Sequence, residues 1–298
     1  MRTYLDCVPC FFKQALEAGK IAGASKAKQK IILDKLAKDF PKFSLSSSPP
    51  ELGRTIYGIV TEVTGERDPF AKIKAKSNRL ALKIYKKLKN KVAHSSDRLL
   101  MAAELAIAGN IIDYGVKNSL NVNTELVKIL AKEHRSITQE SKVTFDYKSF
   151  KHALKRSGTI LYLGDNAGET VFDRVLIEEI KSIDKAKDVT YVVKKNPVIN
   201  DALMEDAIVC GIDKSAKIVS SGSDAPGTVL SLCSKGFLGL YNKADMVISK
   251  GQGNFEALSG SKRPVFFLFM AKCPVVAQHV GCKVGDIILS YHPGKRKV

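Results

Sequence analysis

Apolar positions set two different rhythms along the chain. In the first half they recur every three or four residues: Leu52, Ile56, Ile59, Val60 and Val63 mark one stripe, and Ile31, Ile32, Leu36 and Phe40 mark another. That spacing puts apolar side chains on one face of an α-helix. The run Ser46-Ser47-Ser48-Pro49-Pro50 breaks the pattern between them, because serine clusters and proline do not continue a helix. Asp68-Pro69 opens a further helix with its stripe at Leu80, Ile84 and Leu88. The stretch 97–114 is largely apolar, which predicts a helix buried over most of its surface.

From residue 151 onward the rhythm changes, with short β-rich runs at 159–163, 189–193, 217–219, 246–248, 265–269 and 287–289. Helical stretches fall between most of them, and such alternation predicts a parallel sheet covered by helices. The expected organisation is a helical domain over 1–150 and an α/β domain over 151–298.

Composition narrows the class. At 298 residues and 45% hydrophobic, the chain can bury a sizeable core, and no apolar run approaches the roughly 20 residues that span a bilayer. The start, Met1-Arg2-Thr3-Tyr4-Leu5-Asp6, lacks the basic-then-apolar layout of a signal peptide, so a soluble, cytoplasmic protein without a membrane partner is expected. The formal charge of +18 admits a nucleic-acid partner. However, lysines such as Lys83, Lys86, Lys87, Lys89 and Lys91 fall on a helix, no stacking aromatics are interleaved, and tryptophan is absent. Solvated helix faces account better for the charge, and part of it can attract anionic substrates.

Of the six cysteines only Cys7 and Cys10 form a motif, Cys-Val-Pro-Cys. Structural, metal and redox roles are all compatible with it. The histidines (His94, His134, His152, His279 and His292) show no metal-ligand spacing, which argues against a His-ligated zinc site and a Ser-His-Asp triad.

Ligands of open α/β sheets bind beyond the carboxyl ends of the strands. The segments that follow the expected strands are therefore the place to look for chemistry. They are Gly164-Asp165-Asn166-Ala167-Gly168-Glu169, Lys194-Lys195-Asn196-Pro197 with Asn200-Asp201, a stretch from Ser220 through Gly222 to Thr228, Lys250-Gly251-Gln252-Gly253-Asn254, and Ala271-Lys272-Cys273. Each alone is ordinary turn and helix-cap material; five in a row along one edge call for a ligand. Asp165, Asn166 and Asp201 offer hard oxygen donors suited to Mg²⁺, Mn²⁺ or a similar divalent ion. Lys250 and Lys272 suit phosphate oxygens, and Gly222, Gly251 and Gly253 let backbone N–H groups approach an anion.

Familiar nucleotide motifs are absent. Between Gly222 and Gly227 the spacing of a P-loop is approached, but its lysine is missing. Gly251-Gln252-Gly253 begins a dinucleotide fingerprint, yet Glu256 holds the third glycine position. Ala167 stands where a haloacid-type phosphatase would place a second aspartate after Asp165. In the helical half, Asn110 and Asp113 share a helix face, either capping backbone or reaching over the sheet edge.

Taken in order, Ala108-Gly109-Asn110 with Asp113, the Asp165–Glu169 run, Asn200-Asp201, Lys250 to Asn254, and Lys272 resemble the damage-control metabolite phosphatase family. Cys7 and Cys10 resemble the short, stand-alone microbial branch with an N-terminal CxxC. The resemblance covers most of the chain. It implies a Rossmann-like α/β domain beside an all-helical domain, and one divalent metal, Mg²⁺, Mn²⁺, Co²⁺ or Ni²⁺. Asp165, Asn166 and Asp201 would be its ligands, Lys272 would bind the phosphate, and Asn110, Asp113 and Glu169 would line the site. Asp165 or Asp113 would orient the attacking water; a phospho-aspartate is also compatible with these residues. The implied substrates are small phosphorylated metabolites such as sugar phosphates or phosphopantetheine-like compounds. Two rivals stand beside this reading: a methyltransferase using S-adenosylmethionine, and a basic nucleic-acid-binding protein.

Overall fold

The structure, a computed structural model, describes residues 1–109 and 144–294; Asn110 and Asp113 lie outside the described residues. The first part comprises α1 (Val8–Ile21), α2 (Lys26–Asp39), α3 (Pro49–Thr64), α4 (Ala71–Ala93) and α5 (Arg98–Ala108), and α6 (Tyr147–Arg156) leads into the sheet. Strands β1 (Thr159–Leu163), β2 (Asp188–Val193), β3 (Lys217–Ser220), β4 (Met246–Lys250), β5 (Val265–Met270) and β6 (Ile287–His292) follow. Between and around them lie α7 (Glu169–Ile183), α8 (Met204–Val209), α9 (Lys235–Lys243), α10 (Gln252–Leu258) and α11 (Pro274–Val280).

Local chemistry sets the helix ends. Ser25 and Asp97 cap α2 and α5 by accepting from Lys28 N and Leu100 N, donors that would otherwise be orphaned. The serine–proline run is a break as expected, but Pro49 and Pro50 themselves occupy the first turn of α3, where a missing N–H costs nothing. Gly65, at φ 77°, ends that helix. Of the α2 stripe, Ile32 and Leu36 are buried whereas Ile31 is exposed.

The sheet order is β3-β2-β1-β4-β5-β6. The first five strands are parallel, as expected, and β6 adds an antiparallel edge beside β5. Gly281 and Gly285 turn the chain at the carboxyl end of β5 with φ of 79° and 96°. There Gly285 N donates to Ala271 O and Ala271 N to Asp286 O, so β6 starts where β5 finishes. Such an antiparallel edge on a parallel sheet is common.

Alternate residues of each strand face two different cores. Ile160, Tyr162, Tyr191, Ile248 and Leu268 pack with α4, α5, α6 and α7, whereas Leu161, Leu163, Val247, Phe267 and Phe269 pack with α9 and α10. Both faces being covered, the strands read as near-continuous apolar runs. Helices α1, α2 and α3 enclose a separate cluster around Phe11, Ile32, Leu36, Ile56 and Val60. The first half of the chain thus supplies a small helical core of its own and two helices, α4 and α5, that complete the core of the sheet. Among the described residues no helix is long and apolar enough to cross a membrane.

The strand order reverses between β1 and β4. A crevice forms at such a switch point, and it is flanked here by Gly164-Asp165-Asn166 on one side and Lys250-Gly251 on the other.

Candidate active site

Asp165 leaves β1 into a space that glycine creates. A Cβ on Gly251 would lie 2.1 Å from Asp165 Cγ, so the carboxylate rests against bare backbone. The segment after β2 then folds back onto the β1 exit. Ala202 N donates to Asp165 O at 2.8 Å and Ala167 N to Asn200 O at 2.9 Å, and Asn166 and Asp201 form an antiparallel bridge. Turning the chain there puts Ile199 at φ 41°, a costly conformation for a β-branched residue; its side chain packs on the α1–α3 cluster, which holds it in place.

Asn254 ties three loops together. Its Nδ2 donates to Gly164 O at 3.0 Å and Lys250 O at 2.7 Å, and its Oδ1 accepts from Thr228 Oγ1 at 2.8 Å. At the head of α7, Gly168 N donates to Asn78 Oδ1 at 2.7 Å, so α4 fixes the loop carrying Asp165 and Asn166.

Within this frame Asp165, Asn166, Glu169 and Asp201 come together. Asn166 Nδ2 donates to Asp165 Oδ2 and to Glu169 Oε1, both at 2.9 Å. Asp201 Oδ2 is buried without a hydrogen-bond donor; Lys194 Nζ lies 3.5 Å away, too far for a strong bond. Burial raises the Asp201 carboxyl, opposed first by the Lys194 ammonium and then by the N–H of Gly227.

The electrostatics are those of a site short of positive charge. Asp165, Glu169, Asp173 and Asp201 are buried, against the two buried ammoniums of Lys194 and Lys250. Burial, then Glu169 and Asp201, push Asp165 well above the usual carboxylate range, with Lys272 and Lys194 opposing. Burial likewise raises Glu169 and Asp201. For Lys250, burial works against the charge, but Asp173 and Glu169 overcome it and hold the ammonium above its ordinary value. Two carboxylates and an amide are hard oxygen donors, and a small divalent ion is commonly held by one or two carboxylates with several waters retained. Among the described residues no three His, Cys, Asp or Glu side chains gather to hold a metal by themselves; the oxygen donors that could hold one here are Asp165 and Asp201 with the amide of Asn166.

Other expected residues are placed differently. Lys250, read as a phosphate ligand, is 1% exposed, and its ammonium is taken by Asp173 at 2.7 Å and Glu169 at 3.4 Å; it stands behind the site, with no free face for a substrate. Gly222, at φ 79°, packs against Ser234 at the start of α9, and Gly227 is the glycine of that loop that faces Asp201. Lys272 follows β5 with an exposed side chain, its backbone N–H held by Gln252 Oε1 at 2.8 Å, and it acts on Asp165, Glu169 and Asp201. Cys7 sits just before α1, and Gln14 Nε2 contacts Cys10 Sγ at 3.0 Å. Gln14 Oε1 in turn accepts from Tyr57, whose hydroxyl faces Cys10 and Asp201 and is raised first by burial. Lys194 was visible as a lysine after β2; Asn78, Tyr57 and Asp173 carried no signal in the sequence.

Comparison with known proteins gives the family. A family model described as the damage-control phosphatase ARMT1-like domain matches residues 3–288. Damage-control phosphatase PH1575 of Pyrococcus horikoshii is 34% identical over 290 residues, covering 97% of each chain. A damage-control phosphatase of Archaeoglobus fulgidus is 35% identical over 239 residues, 80% of each chain. The crystal structure of a DUF89 family protein from Pyrococcus horikoshii has a TM-score of 0.86 at 32% identity, over 99% of this chain and 100% of that one. With the fold and the matched length in agreement, the chain belongs to the damage-control phosphatase ARMT1-like family.

Proposed function

We propose that the protein is a metal-dependent phosphomonoesterase of small phosphorylated metabolites, sugar phosphates or phosphopantetheine-like compounds. The observation that carries the reading is the buried Asp201 Oδ2, which has no hydrogen-bond donor and only the Lys194 ammonium at 3.5 Å, beside Asp165 in a cluster with more carboxylates than ammoniums. Asp165, Asn166 and Asp201 would hold the divalent ion, which when bound polarises the phosphoryl group and offsets its charge. Lys272, on an exposed side chain at the carboxyl edge, receives the substrate's phosphate, and Lys194 adds positive charge from within. The carboxylate of Asp165 orients the water for in-line attack. Glu169 keeps the amide of Asn166 in place.

Phosphate release from an aryl phosphate and a sugar-phosphate panel tests this. Protein stripped of metal should be inert, and added Mg²⁺, Mn²⁺, Co²⁺ or Ni²⁺ should restore turnover in the wild type but not in Asp165→Ala. Absence of turnover with every metal would overturn the reading and return the methyltransferase to the front.

A further inference from the structure

Behind the site lies a buried polar group that the proposed chemistry does not use. Asp173, fully buried on α7, accepts the hydroxyl of Tyr162 on Oδ1 at 2.8 Å and that of Tyr191 on Oδ2 at 2.9 Å. The ammonium of Lys250 lies 2.7 Å from the same Oδ1 and 3.4 Å from Glu169 Oε2. Glu169 Oε1 is the oxygen that accepts from Asn166 Nδ2. An unbroken line of contacts therefore runs from two tyrosines on β1 and β2, through Asp173 and Lys250, to Glu169 and Asn166. Buried ion pairs of this kind are a weak source of stability, so their presence beside the site asks for another account.

The amide of Asn166 supplies it. A carboxamide donates at one end and accepts at the other, and its two N–H bonds are engaged by Asp165 Oδ2 and Glu169 Oε1. Oδ1 is then the end left for a cation. This orientation depends on where the Glu169 carboxylate sits, and Lys250 draws its Oε2 away so that Oε1 meets the amide. We propose that Asp173 and Lys250 are positioning residues: the tyrosines fix Asp173, Asp173 fixes Lys250, and Lys250 fixes Glu169 so that Asn166 presents Oδ1 to the metal. The inference rests on the metal-dependent reading above. Groups that orient ligands in this way are worth roughly 10–100-fold in metal affinity.

Mn²⁺ binding to the metal-stripped full-length chain, followed by the paramagnetic resonance of the free ion, tests it without reference to turnover. Asp173→Asn should weaken binding about tenfold or more, and lower kcat for phosphate release with little change in KM. The double variant Asp173→Asn/Lys250→Gln restores charge balance and keeps hydrogen-bonding groups in place. A purely structural pair would there recover wild-type affinity along with a cooperative melt, which would overturn the proposal; positioning predicts that affinity stays low. Should the double variant fail to fold, Tyr162→Phe/Tyr191→Phe, which removes only two hydroxyls, decides instead: severalfold weaker binding supports the proposal and unchanged binding sinks it. Wild-type protein that takes up no Mn²⁺ would fail the metal reading itself, a result separate from either.

Discussion

Gly251 and Asp165 compete for one small space. A methyl group on Gly251 would stand 2.1 Å from Asp165 Cγ, and the backbone there has φ of 83°, a conformation that costs other residues on the order of 1–3 kcal/mol. Gly251→Ala should therefore lower stability by about that amount and displace Asp165. Misplacement of about 1 Å can cost roughly 100-fold in rate, so phosphate release should fall by that order; wild-type turnover in this variant would show that Asp165 is not at the reacting centre. Glu256 makes a different prediction. It is partly buried between Gln252, the chain's amino terminus and Lys272, and burial pushes it up to about 7. A carboxyl raised in the folded state stabilises it fully below the ordinary carboxylate range, and that contribution is lost as pH rises through about 7. Stability should fall from pH 5 to 8, and Glu256→Gln should remove about 1–2 kcal/mol of that fall after allowance for partial exposure. Thermal melts at a series of pH values check it; identical slopes for the two proteins would contradict it.

Helix α4 shows how an element far from the sheet in sequence becomes part of the site. Its outward face carries Lys83, Lys86 and Lys87, whereas Lys74, Ser77 and Asn78 are buried. Asn78 accepts from Gly168 N and donates to Asp206 Oδ1, both at 2.7 Å. Asn78→Ala would strand both partners, costing about 2–4 kcal/mol by denaturant unfolding and slowing phosphate release through the loosened head of α7; a loss under about 0.5 kcal/mol would contradict the role. The same helix marks what the sequence could and could not tell. Strands were legible because residues such as Thr159–Leu163 and Val265–Met270 form short β-rich runs bounded by turn residues. Asp165, Asn166, Glu169 and Asp201 were legible because strand ends, glycines and carboxylates coincide. Asp173 was not: it sits among Val171, Phe172 and Val175, and its partners lie on β1, β2 and β4. Nor was the bond from Gly168 to Asn78, 90 residues away, since helical periodicity says which face is buried but not against what. The reversal of β6 was hidden for the same reason, because its run of residues has no direction in it.

For the whole molecule the formal charge is +18, while several lysines (Lys74, Lys187, Lys194 and Lys250) are buried beside carboxylates. The remainder makes a field that draws anions. The kcat/KM for a dianionic ester should fall severalfold as ionic strength rises from about 0.01 to 0.15 M while kcat holds steady; tight binding of duplex DNA at the higher salt would instead favour a nucleic-acid role. The metal reading proposed above puts one cation site in the loops after β1 and β2, bordered by Gly251 across the switch point. It is tested most directly by anomalous diffraction from crystals soaked in Mn²⁺. A single strong peak is expected within about 2.0–2.6 Å of oxygens from Asp165, Asn166 and Asp201, lost in Asp201→Ala. A peak elsewhere, or one bound without these three residues, would contradict it.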